Sequence, residues 1–147
     1  MIPRTIQFLA LCALGAMLSA TAEACSVSAD GVAFGSYNIF DNAPLDSTGT
    51  ITVQCESPYT LRLSSSSNNS QFNPRHLANA ANDRLIYNLF TDPARTSVWG
   101  DGTNGTLTTG SDGSTTAIHH TIYGRIPAAQ NIRIGTYSDV ITVTLDF

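Results

Sequence analysis

The chain contains no lysine, and its seven arginines face eleven acidic residues, which gives a net charge of −4. Proteins that bind nucleic-acid backbones need clustered cations. We therefore predict no nucleic-acid partner. Because only 12% of the residues are charged, serine, threonine, asparagine and glycine must supply most of the polar surface. Such a surface is more typical of an exported β-protein than of a cytosolic enzyme.

The sequence also lacks the motifs of the common enzyme classes. It has no Gly-x-Ser-x-Gly elbow, no phosphate-binding glycine loop and no His-Glu-x-x-His pair. His119 and His120 are adjacent in a predicted strand, so their side chains point to opposite faces, and His76 lies in a distant loop. Residues 101–105 resemble a calcium loop without its distal glutamate, which predicts a tight turn instead. We predict no enzyme activity, no cofactor and no metal site.

No apolar run is long enough to span a bilayer. The longest, residues 6–17, has about 12 residues, whereas a membrane-spanning helix needs roughly 20. It follows Arg4 and precedes small residues that end at Ala24, which is the order of a secretory signal peptide. We predict that residues 1–24 are a signal peptide. Residues 25–147 would then form one exported domain without a membrane span.

Cysteine is rare, with three in the chain. Cys12 would leave with the signal peptide, and an even pair in an oxidising compartment predicts a disulfide between Cys25 and Cys55. Two free buried thiols are the alternative. Because Cys25 would directly follow the cleavage site, and lipoprotein signals need a cysteine there, a lipoprotein signal is a second alternative. Ala22 stands where such signals usually carry a leucine-like residue, which disfavours lipidation.

Period-two alternation recurs along the chain, and no window shows a helical period. The predicted strands fall within residues 51–55, 59–63, 85–90, 117–126 and 140–147. Turn-forming residues separate them. Residues 64–70 are predicted to form an exposed polar loop, and residues 77–85 at most a short helical turn. Short strands over about 120 residues indicate a single all-β sandwich.

The last predicted strand places Ile141, Val143, Leu145 and Phe147 on one face. An exposed apolar strand at a sheet edge tends to pair with another chain. Its place at the end of the sequence fits a sandwich that lacks its final strand and is completed by strand addition from a partner. It fits equally a complete sandwich in which this strand is internal. The pattern leaves both possibilities open.

Blocks of residues spread over 25–147 resemble the spore coat protein U family, whose domain also occurs in subunits of archaic chaperone–usher pili. The blocks are Cys25-Ser26-Val27-Ser28, Val32-Ala33-Phe34-Gly35-Ser36-Tyr37, Pro44-Leu45-Asp46, Thr50 to Cys55, Leu85-Ile86-Tyr87-Asn88-Leu89-Phe90-Thr91-Asp92, Val98-Trp99-Gly100-Asp101-Gly102, Tyr123-Gly124-Arg125-Ile126-Pro127, Gly135-Thr136-Tyr137-Ser138-Asp139 and Val143-Thr144-Leu145. The resemblance implies an immunoglobulin-like β-sandwich that lacks its final strand and is completed by a donor strand.

The resemblance further implies a route of assembly. A periplasmic chaperone would first lend a strand, and the N-terminal extension of the next pilus subunit would later replace it. An outer-membrane usher would be a further partner. The residues that would pair with the chaperone or donor strand are Ile141, Val143, Leu145 and Phe147. We therefore expect a structural subunit of an exported cell-surface fibre.

The predicted mature chain starts at Cys25, whereas polymerising members of the family carry a donor segment ahead of their first cysteine. This difference favours a tip or terminal subunit that accepts a strand without donating one. Two alternatives remain open: a self-contained spore or cell coat protein, and a tip adhesin that binds a surface ligand.

Overall fold

The computed structural model describes residues 24–147, which form eight β-strands and contain no helix. The strands are β1 (Ser26–Asp30), β2 (Leu45–Cys55), β3 (Tyr59–Leu63), β4 (Arg75–Ala78), β5 (Arg84–Phe90), β6 (Thr109–Ser111), β7 (Ser114–Ile126) and β8 (Val143–Asp146). The predicted all-β class is confirmed. Except for Ala24, the predicted signal peptide lies outside the described residues. Residues 24–147 include no helix long and apolar enough to cross a membrane.

The strands form two antiparallel sheets. The larger sheet has the order β1-β2-β7-β5-β4, and the smaller has the order β6-β3-β8. Strands β2 and β7 form the longest ladder, which runs from the pair Leu45–Ile126 to the pair Cys55–Ser114. Period-two patterns give β2, β3, β5, β7 and β8 one apolar face each, and these faces from the two sheets meet in one core.

The core confirms the alternation read from the sequence. On β2 and β3, the inward residues Ile51, Val53, Leu61 and Leu63 are almost completely buried. Burying such a side chain contributes roughly 1.5 to 3 kcal/mol each. Trp99 is also buried, and its indole Nε1 donates a hydrogen bond to the carbonyl of Leu61 at 3.3 Å. This tryptophan therefore belongs to the core and is not a surface-binding residue.

The predicted helical turn in residues 77–85 is wrong, because this segment is the β4–β5 hairpin. The side-chain oxygen of Asn79 accepts hydrogen bonds from the backbone of Ala81 and Asp83. Asn82 has a φ of 62°, a left-handed conformation that asparagine tolerates better than most residues. Asparagine thus closes a turn here, whereas its neighbouring alanines had suggested helix.

β1 is an edge strand that pairs with β2, and all five of its residues are exposed. A disulfide between Cys25 and Cys55 ties its start to the end of β2. Because β1 buries little side-chain surface, this covalent link is its strongest attachment to the sheet.

Candidate functional site

An open groove runs along one side of the sandwich, between two stretches of chain. The first lip, residues 29–39, comprises the end of β1 and the chain that follows it. The second lip, residues 132–143, leads into β8. The floor comes from both sheets and consists of Leu63, Leu77, Leu85, Tyr87, Leu89, Ile122 and Ile126. The apolar core therefore borders the groove along this side, although six of these seven side chains, all but Leu77, are at most 5% exposed.

The groove has two lobes. The wide lobe, of about 750 Å³, lies between residues 32–39 and 132–139. The narrow lobe, of about 330 Å³, is bordered by residues 29–32 and 139–143. Val32, Phe34, Leu77 and Asp139 line both lobes, so these four residues mark the boundary between them.

Two glycines allow the first lip to lie close to the larger sheet. A methyl group at Gly124 would stand 2.7 Å from the ring of Phe34 and 2.8 Å from a methyl of Val32. A methyl at Gly49 would stand 2.7 Å from the carbonyl of Asp30. Such distances are shorter than van der Waals contact. Only glycine at these positions of β2 and β7 leaves room for the lip.

The first lip is held mainly by side-chain hydrogen bonds, since residues 31–38 belong to no strand. The hydroxyl of Ser47 donates to the carbonyl of Ala33 at 2.6 Å. The hydroxyl of Tyr37 donates to the carbonyl of Pro127 at 3.0 Å and accepts from the backbone of Gln130 at 2.8 Å. The lip is thus fixed in place although residues 31–38 form no ladder.

The second lip is held by the serine-rich segment 64–70. The backbone N–H of Ser64 donates to the carbonyl of Thr142 at 2.9 Å. Ser67 donates to Asp139 Oδ1 from its backbone at 2.9 Å and from its hydroxyl at 2.7 Å. Ser66 is only 1% exposed. Residues 64–70 form a polar loop as predicted, but the loop is only partly exposed, because it supports one side of the groove.

Beneath that segment lies Arg75, whose side chain is completely buried. Its Nη2 donates to the carbonyls of Ser64 and Trp99, each at 2.7 Å, and its Nη1 donates to Asn88 Oδ1 at 2.9 Å. Among residues 24–147, no carboxylate lies within salt-bridge distance of it. Burial lowers the pKa of Arg75, and carbonyl oxygens replace the water that would otherwise solvate its charge.

Tyr87 links the two lips across the floor of the groove. Its ring packs edge-to-face against Phe34, with 6.0 Å between the ring centroids. Its hydroxyl donates to Asp139 Oδ2 at 2.6 Å. Burial and this hydrogen bond raise the pKa of Tyr87, so the hydroxyl keeps its proton and remains a donor at physiological pH.

The four residues predicted to pair with a partner strand do not all lie in the groove. Ile141 and Val143 line the narrow lobe. Leu145 packs against the core beyond it, and Phe147 is 66% exposed and lines neither lobe. In the described part of the chain, β8 pairs with β3 on one side, and its other edge faces no strand. The pairing role of these residues remains a prediction.

None of the three histidines lines the groove. The prediction that His76 lies in a loop is wrong, because His76 is in β4 and pairs with Ile86 of β5. His119 and His120 occupy opposite faces of β7, as predicted. His119 Nδ1 lies 3.0 Å from Thr52 Oγ1, and His120 Nε2 lies 2.8 Å from Tyr59 Oη. Asp101 accepts two hydrogen bonds from Thr103 within a tight turn. Across residues 24–147 there is no group of three or more histidine, cysteine or acidic side chains placed to hold a metal ion.

Comparisons with known proteins point in one direction. The model of the Spore Coat Protein U domain matches residues 11–144. Protein U of Myxococcus xanthus is 28% identical over 127 residues, which cover 78% of this chain and 70% of that protein.

Among solved structures, the fold is similar to a chain of the CsuC–CsuE chaperone–tip adhesion subunit pre-assembly complex, from the archaic chaperone–usher Csu pili of Acinetobacter baumannii. The TM-score is 0.61 at 22% identity, and the match covers 85% of this chain and 40% of that one. This chain thus spans less than half the length of that neighbour. The likeness confirms the immunoglobulin-like sandwich.

Proposed function

The chain belongs to the Spore Coat Protein U domain family, and on that premise we propose that it is a structural subunit of an exported chaperone–usher surface fibre. In this proposal the groove binds an extended strand from a partner protein, and the sandwich is complete only when that strand is in place. Binding and assembly, not catalysis, would be its activity.

Two observations carry the proposal: the open groove with an apolar floor between the two lips, and, among the described residues, the unpaired second edge of β8. A partner strand laid along the groove would pair with backbone groups of β8 and bury its own apolar side chains against the floor. About five apolar side chains at roughly 1.5 to 3 kcal/mol each would contribute roughly 7 to 15 kcal/mol. That equals the whole stability of a typical domain, about 5 to 15 kcal/mol. We therefore expect the chain to be marginally stable without a partner.

The partners follow from the same reasoning. The solved neighbour is a pre-assembly complex of a chaperone and a tip adhesion subunit, which supports a periplasmic chaperone as the first occupant of the groove. A neighbouring pilus subunit would then replace it, with an outer-membrane usher directing the exchange. The proposal requires export, for which residues 1–24 would be the signal peptide. Ile141 and Val143 would contact the partner strand inside the groove, and Leu145 and Phe147 along the rest of β8.

The test is co-purification of the full chain with its cognate periplasmic chaperone after co-expression. Ile141→Glu places a charge in the narrow lobe, whereas the matched control Thr142→Glu places it on an exposed side chain one residue away. We expect the wild type and Thr142→Glu to co-purify with the chaperone in a one-to-one complex, and Ile141→Glu to be lost or degraded.

Thermal unfolding of the chain alone decides between the proposal and its main alternative. A chain that aggregates or barely folds alone, and is rescued by the chaperone, supports the strand-accepting subunit. A chain that melts cooperatively as a stable monomer, with no change on adding chaperone, would support a self-contained coat protein.

A further inference from the structure

Asp139 is a charged residue at the boundary between the two lobes of the groove. It lines both lobes of the groove and is half-buried. Two other charged residues, Asp30 and Arg133, also line the groove, but both are exposed to solvent. Any strand that runs through both lobes must therefore pass Asp139, and its carboxylate is the charge that such a strand would most thoroughly remove from water.

The two oxygens of this carboxylate have unequal numbers of hydrogen-bond partners. Oδ1 accepts from the backbone and hydroxyl of Ser67, from Asn68 Nδ2 at 3.3 Å and from the backbone of Val140 at 2.8 Å. Oδ2 accepts one hydrogen bond within residues 24–147, from the hydroxyl of Tyr87. A carboxylate oxygen can accept about two hydrogen bonds. Oδ1 is thus saturated, whereas Oδ2 can still accept one more.

Water can meet that need while the groove is open, since Asp139 is half-buried. A strand lying in the groove would displace the water. An ionised oxygen that is buried without a donor is costly, and a hydrogen bond to an ionised acceptor is roughly twice as strong as one between neutral groups. The occupant would therefore bind better if it brought a donor to this point.

We infer that Asp139 sets the register of the strand that enters the groove, by requiring a hydrogen-bond-donating side chain at the boundary between the two lobes. The strand would carry apolar inward residues on either side of that position, and a serine, threonine, asparagine, glutamine, lysine or arginine at it. Sliding the strand by two residues would move the donor away from the carboxylate and place an apolar side chain against it. This inference rests on the proposed function, since it presupposes that the groove accepts a strand.

A peptide scan tests the inference on the full chain. The probes are fluorescein-labelled peptides of alternating threonine and valine, long enough to run through both lobes, in which one inward valine at a time is replaced by serine or lysine. Because the chain is expected to be marginally stable alone, it is refolded from urea in the presence of each peptide, and binding is followed by fluorescence anisotropy. We expect one inward position at which the donor improves affinity by about tenfold, and loss of affinity at the others, because a single hydrogen bond to a charged group is worth about that factor.

Two variants assign the preference to Asp139. In Asp139→Asn, Oδ1 can still accept from Ser67, whereas Oδ2 is replaced by the amide nitrogen, which is a donor. The preference for serine or lysine should therefore disappear, while the all-valine peptide should still bind. Tyr87→Phe removes the hydroxyl donor from Oδ2, so the preference should become stronger at the same position. The control Asp146→Asn changes a carboxylate on β8 that lines neither lobe, and it should leave the preference unchanged.

The possible outcomes separate the inference from the proposal beneath it. Peptides that bind without any position favouring a donor, or a preference that persists in Asp139→Asn, overturn the register role and leave the strand-accepting groove intact. A failure of every peptide to bind the wild type overturns both.

Discussion

Replacing Arg75 by methionine should cost about 3 kcal/mol of the free energy of unfolding. The substitution keeps a long side chain but removes the donors that bind the carbonyls of Ser64 and Trp99 and the side-chain oxygen of Asn88. Asn88 Oδ1 keeps a second donor, the backbone N–H of Leu89. Two carbonyls are therefore left without a partner, at about 1 to 3 kcal/mol each. Part of this cost is offset because a desolvated charge is also removed.

The measurement is urea unfolding followed by the fluorescence of Trp99, the single tryptophan, whose carbonyl is one of the acceptors involved. All variants should be measured with the same concentration of strand peptide, and the contribution of the peptide, calculated from the dissociation constant measured for each variant, is subtracted. Arg75→Lys keeps the charge, but a compact ammonium cannot span all three acceptors as the planar guanidinium does. We expect it to lose about half as much as Arg75→Met.

Arg84→Met is the matched control, because Arg84 lies on β5 with its side chain exposed. Surface substitutions of this kind usually change stability by less than about 0.5 kcal/mol. If Arg75→Met were no more destabilising than this control, the reasoning would be refuted, since the two carbonyls would then have another source of hydrogen bonds.

Three further predictions follow from the described contacts. Changing both Cys25 and Cys55 to serine should lower the free energy of unfolding by about 3.5 kcal/mol, the chain-entropy value for a separation of 30 residues; a loss below about 1 kcal/mol in urea unfolding would contradict this. Burial lowers the pKa of His120, so the unfolded chain binds its proton more tightly. Stability should be fully present above the ordinary histidine pKa of about 6.5 and fall as the pH drops below it. The slope of unfolding free energy between pH 7 and 5 should be smaller in His120→Gln, and equal slopes would argue against a titrating histidine. Gly124→Ala should push the first lip away from the sheet, cost about 1 to 3 kcal/mol and weaken chaperone co-purification. The control Gly31→Ala, whose added methyl meets no atom within 4 Å, should leave the free energy of unfolding unchanged.

The strands that form the apolar core could be predicted from the sequence. Alternation at Ile51 and Val53, and at Leu61 and Leu63, correctly gives both the strands and the faces that are buried. Period two suffices there, because in a sandwich a side chain either faces the core or faces solvent.

The polar supports of the groove could not be predicted in this way. Ser67 and Asp139 are 72 residues apart in the chain, and nothing local in a run of serines indicates a distant carboxylate. The position of Arg75 did indicate burial, because it lies two residues before the partly buried Leu77 and therefore on the same face of β4. The residue type indicated the opposite, since arginine side chains are usually exposed.

The link that Tyr87 makes between the lips has a mechanical consequence. In a fibre whose subunits are joined by strands seated in such grooves, tension would reach each subunit through the seated strand and act on the walls that grip it. Tyr87 contacts Phe34 on one wall and Asp139 on the other, so a force that parts the walls must also break its 2.6 Å hydrogen bond. The two walls would therefore share the load and resist opening together.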